Sequence, residues 1–170
     1  MKSLVSWSPT PEEDLRFMRL ALAEARAAAA QEDVPVGAVL VDSEGQVMAH
    51  ARNERELLQS PVAHAEVQAI SAGARERGDW NLSGTTLYVT LEPCSMCAGA
   101  LVLARVTEVV YGAMDPKGGV VSLAIPIFSH ARLNHRVRVR QGPLAAECGS
   151  VLQDFFRRKR REKGTSGKKD

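Results

Sequence analysis

Two strand-like runs, TTLYVTL (85–91) and TEVVYGA (107–113), bracket a stretch that reads as a helix from just after Cys94 to about Arg105. A third run, VGAVLV (36–41), is joined through DSEG to GQVMAHA (45–51), which is the pattern of a β-hairpin. A chain holding both a hairpin and helix-linked strands must build a mixed sheet. The remaining segments supply its cover. Thr10-Pro11-Glu12-Glu13 has the form of a capped helix start, with Leu15, Met18, Leu22 and Ala25 at helical spacing up to about Gln31. A second helix is expected over His64 to Arg77, and a last one over 143–163, PLAAECGSVLQDFFRRKRREK. A short strand fits HRVRVR (135–140). The spacing therefore predicts an α/β domain with one mixed sheet and helices on both faces. No internal repeat or linker divides it, so residues 1–163 form a single expected domain.

The 170 residues suffice for one full-sized core, and the 45% apolar content is that of an ordinary globular chain. There is no apolar run of membrane-spanning length, and MKSLVSWSPTPEED lacks the apolar block of a signal peptide. A cytoplasmic location is the expectation, and three cysteines there do not form a disulfide framework. Charge is unevenly placed. Residues 157–170 carry a formal +6 on a body of formal −4. On charge alone this block reads as a solvated tail, with nucleic-acid contact as the other reading.

Cys94 and Cys97, in TLEPCSMCAGA, are a weak signal by themselves: such a pair can be redox-active, metal-binding or structural. Three cysteines cannot make a four-sulfur zinc site within one chain, and no second pair follows at finger spacing. Thirty residues upstream, however, PVAHAEVQAI places His64 and Glu66 at another helix start. Side chains at i and i+3 on a helix stand about 5–6 Å apart, which suits two thiolates on one tetrahedral metal. Helix N-termini favour thiolate over thiol. With His64 as third ligand, the fourth position is left for water, and Glu66 is placed to manage its protons. H-x-E with P-C-x-x-C is the signature of zinc deaminases. Each residue alone has a plainer explanation: His64 as a cap, Glu66 as a helix-dipole partner, the cysteines as core. Cys148 is expected to be a core thiol, and His50, His130 and His135 carry no ligand pattern.

VPVGAVLV, HAE, TLYVTLEPCSMCAGA, DPKGG, NHRV and DFFRRKR together resemble the bacterial tRNA-specific adenosine deaminases over nearly the whole chain. The resemblance implies the cytidine-deaminase-like three-layer fold with a five-stranded mixed sheet, and a homodimer. It implies hydrolytic conversion of adenosine to inosine at the wobble position of a tRNA anticodon. It assigns His64, Cys94 and Cys97 to one Zn²⁺ per chain and Glu66 to proton transfer. Asn53 matches the asparagine that hydrogen-bonds the target nucleoside. Asp115 and Lys117 match a loop at the anticodon backbone. Phe155, Phe156, Arg157 and Arg158 match a C-terminal helix bordering the anticodon stem-loop. In that light RNA contact is favoured for Arg157 to Arg161, and 164–170 is expected to be a disordered basic tail. Two alternatives stay open: a free nucleobase or nucleoside deaminase of guanine or cytosine type, and a non-catalytic zinc RNA-binding module.

Overall fold

The structure, a computed structural model, describes residues 8–166. Helix α1 (Pro11–Ala30) starts as its sequence requires. Thr10 Oγ1 accepts from the Glu13 amide at 3.2 Å, and the Glu13 carboxylate accepts from the Thr10 amide at 2.8 Å. Its buried stripe is Phe17, Met18, Ala21, Leu22, Ala25 and Ala28, while Leu15 is only half-buried. Strands β1 (Gly37–Val41) and β2 (Val47–Arg52) form the hairpin, closed where Asp42 accepts from the amides of Glu44 and Gln46. Then come α2 (Ala65–Arg77), β3 (Thr86–Leu91), α3 (Ser95–Leu103), β4 (Glu108–Ala113), β5 (Arg138–Gln141) and α4 (Ala145–Ser166).

The sheet order is β2-β1-β3-β4-β5. The first two pairings are antiparallel, and β3–β4 and β4–β5 are parallel. Phe17, Met18, Leu22 and Cys148 pack with Val39, Val41, Tyr88 and Val110, so α1 and α4 cover one face. Ala69, Ile70, Ala98 and Leu101 pack with Leu40, Leu87, Val89 and Val109, so α2 and α3 cover the other. This is the three-layer arrangement expected. Gly37 lets α1 lie against β1: a Cβ there would stand 2.0 Å from the Ala21 carbonyl oxygen.

Element ends differ from the sequence expectation by a few residues, and at three of them the physical reason or the consequence is plain. Helix α3 stops at Leu103 because Arg105 turns left-handed, with φ of 63°. Strand β5 begins only at Arg138, since the preceding Val137 amide is drawn to the Phe128 carbonyl. Helix α4 continues through Ser166, taking in residues 164–166 of the expected tail, whereas 167–170 lie outside the described residues.

The register decides where the loops meet. Gly37 pairs with Arg52, Ala38 with Val89 and Leu91 with Ala113. The ends of β2, β3 and β4 and the start of β1 therefore share one edge of the sheet. Ligand sites of open α/β sheets form at the carboxyl ends of strands.

Candidate active site

His64 is the residue before the first turn of α2, and Cys94 holds the same place before α3. Both have extended backbone, so their side chains project across the helix starts. His64 Nδ1 lies 3.7 Å from Cys94 Sγ and 3.5 Å from Cys97 Sγ. All three ligand atoms fall within 4.8 Å of one another, and they form the cluster of possible metal ligands found among the described residues. A metal with ligand bonds of about 2.0–2.3 Å in tetrahedral geometry needs such separations. The donor set, two sulfurs and one imidazole nitrogen, fits a metal of the zinc type. Cys148 lies on the opposite face, buried beside Gly112, as expected of a core thiol.

The groups share protons when no metal is bound. The Cys97 thiol hydrogen-bonds to Cys94, and with His64 it pulls Cys94 down to about 3. The same hydrogen bond pushes Cys97 up, and the Cys94 bond raises His64. Metal binding displaces these protons. Glu66, in the first turn of α2, is 4% exposed, and burial pushes its carboxyl up to about 7.

A cavity of about 150 Å³ opens at this place. Val34, Val36, Asn53, Arg55, His64, Glu66, Leu91, Glu92, Cys94 and Asp115 line it. Asn53 follows β2 and is nearly buried. Its Nδ2 donates to the Val34 carbonyl at 3.1 Å and approaches Asp33 Oδ1 at 3.5 Å. Its Oδ1 is buried and has no partner. A buried acceptor of this kind stands ready for a donor brought by a ligand.

The fold thus brings together His64, Glu66, Cys94, Cys97, Asn53 and Asp115. It sets the other expected site residues further out. Lys117 is exposed on a turn where Asp115 accepts its amide at 3.1 Å. Phe155 is buried, with Phe156 edge-on to it at 5.5 Å and half open to solvent. Arg157 pairs with Asp154 at 3.1 Å and Arg158 with Glu32 at 2.7 Å. Lys159 also bonds Glu32. The two pairs with Glu32 tie the basic end of α4 to the residue next to the aspartate that faces Asn53.

Two residues of the site go unmarked by any ligand or catalytic pattern, although Glu92 lies within TLEPCSMCAGA. Asp33 is fully buried and accepts from the amides of Glu56 and Leu57 at 2.9 and 3.0 Å. Glu92, 2% exposed, accepts from the Asp115 amide and from Ser122. Glu92 stands between Leu91 and Pro93 just past a strand, whereas Asp33 follows Gln31 and Glu32 in a polar helix end, so no shared sequence signal marks the two.

Residues 12–160 match the model of the MafB19-like deaminase family, which makes the chain one of the deaminases built on this fold. Relatives narrow the class. The tRNA-specific adenosine deaminase of Bacillus subtilis (strain 168) is 46% identical over 156 residues, covering 92% of this chain and 96% of that protein. That of Agrobacterium fabrum is 44% identical over 148 residues, 87% of this chain and 97% of that one. A structure solved in a study of A-to-I editing by tRNA:A34 deaminases superposes with a TM-score of 0.77 at 43% identity, over 81% of this chain and 99% of its own. The chain belongs to the tRNA-specific adenosine deaminase family.

Proposed function

We propose that this chain hydrolytically deaminates adenosine to inosine at the wobble position of a tRNA anticodon, as a cytoplasmic homodimer of one deaminase domain per chain. One Zn²⁺ per chain would be held by His64, Cys94 and Cys97. The observation that carries this reading is Glu66: a buried carboxyl beside a three-ligand cluster, on the wall of a pocket that also holds Asn53. A site that only bound RNA would have no use for a proton carrier there.

Zinc, when bound, lowers the pKa of a coordinated water to about 7 and so supplies a nucleophile at neutral pH. The adenine must leave its stack to bring carbon 6 into the pocket. Asn53 would orient the base through its unpartnered oxygen. Glu66 would accept a proton from water and deliver it to ring nitrogen 1, then take the proton of the hydroxyl added at carbon 6 and pass it to the departing amino group. Water adds, ammonia leaves and inosine remains, so no further cofactor is required. Asp115 and Lys117, with Phe155, Phe156, Arg157 and Arg158, would contact the loop and stem beyond the target base. In the family's relatives that substrate is named as tRNA.

The test is ammonia release from an anticodon stem-loop carrying adenosine at the wobble position, set against free guanine, cytosine and cytidine. Turnover of the stem-loop alone is expected. Efficient turnover of a free base without the stem-loop would replace this reading by that of a nucleobase deaminase.

A further inference from the structure

We infer that Glu92 is a positioning residue, a buried brace that fixes the 115–122 loop over the pocket and thereby sets affinity for the RNA loop. The inference rests on the proposed tRNA reading for its substrate, though not for its geometry.

Glu92 directly follows β3 and leads into the ligand Cys94. Its own amide bonds the Ala113 carbonyl at 2.9 Å, which locks its backbone to the end of β4. Its carboxylate then crosses to the loop that follows. Oε2 accepts from the Asp115 amide at 2.8 Å and from Ser122 Oγ at 2.5 Å, and Oε1 accepts from the Ser122 amide at 2.5 Å. One side chain thus holds both ends of the loop. Charge-assisted bonds of this kind are stronger than neutral ones, and burial strengthens them further.

The loop is closed around this carboxylate. A Cβ at Gly119 would stand 2.2 Å from Glu92 Cδ, so only glycine lets the chain pass. The Val120 amide bonds the Pro93 carbonyl at 3.0 Å, and Gly119 bridges to Cys94. Glu92 lines the same pocket as Glu66, yet its oxygens are occupied by loop donors, which suits it to hold the loop rather than to carry protons. Asp115 and the exposed Lys117 are presented by the segment it holds.

Two variants test this in the full-length, zinc-loaded protein. Glu92→Gln turns one acceptor oxygen into a donor facing loop amides. Ser122→Ala removes a single hydroxyl from a half-exposed position. With the anticodon stem-loop, KM should rise about tenfold in Glu92→Gln and about threefold in Ser122→Ala, with kcat within about twofold. Zinc should remain at one per chain. Amide hydrogen exchange should quicken over residues 115–122 in both variants. Unchanged exchange in that segment, or a defect confined to kcat or to zinc content, would overturn the brace. If the unsubstituted protein does not deaminate the stem-loop, the tRNA reading has failed, and the exchange measurement still decides the brace.

Discussion

Burial holds the Glu66 carboxyl at about 7, poised to give and take a proton near neutral pH. Glu66 ligates nothing in the cluster, so removing it should leave the metal in place. Glu66→Gln is expected to keep one zinc by elemental analysis and to lose about 10²–10⁴-fold in kcat. Loss of zinc from that variant would count against the role. Asp33 works at one remove. It accepts from two amides and faces the Asn53 amide, so Asp33→Ala would leave these partly buried donors without their acceptor. A loss of about 2–3 kcal/mol is expected, read as a shift in the denaturant midpoint. If Asp33 also orients Asn53, its substitution should cost less activity in an Asn53→Ala background than alone. His64, Glu66, Cys94 and Cys97 could be found in the sequence because their geometry is local to two helix starts. Asp33 and Glu92 could not, since their loop partners lie 23 to 30 residues away. The pairing appears only once the sheet has formed.

Helices and strands were legible for a similar reason. Apolar runs, helix caps and turn residues together point to each of the nine elements among the described residues. Their ends depend on single interactions that periodicity does not register, such as the left-handed Arg105 that shortens α3. Layer assignment needed Gly37, where α1 touches β1. Gly37→Ala should push α1 off the sheet, at about 3 kcal/mol or more, seen as a lower melting temperature or an insoluble product. Helix α4 presents a different balance. Arg157 and Arg158 are paired with Asp154 and Glu32 on an exposed surface, where such pairs contribute little. Phosphates can therefore replace those partners. Neutralising Arg157, Arg158, Arg160 and Arg161 together should flatten the salt dependence of stem-loop binding, by roughly 0.7 in the log–log slope for each phosphate that is no longer neutralised. An unchanged slope would make the helix end a solvated surface and nothing more.

On the molecule as a whole, the pocket, the 115–122 loop and the link from α4 to Glu32 all gather at one edge of the sheet. A free adenosine can occupy only the first of these. Binding energy from parts of a substrate that do not react is what aligns the part that does. An anticodon loop also presents bases already partly unstacked, so extruding one costs less than in a duplex. The expected result is a kcat/KM for the adenosine stem-loop about 10³-fold or more above that for free adenosine. Replacing the wobble adenosine by cytidine should abolish product, because the smaller ring brings a different carbon to the position where carbon 6 reacts. Product is measured by conversion of each substrate at matched concentration and fixed salt. Comparable rates for stem-loop and free adenosine would mean that the loop and α4 contribute no alignment. Turnover of the cytidine loop would mean that the pocket does not select the purine, and the wobble-adenosine assignment would fall with it.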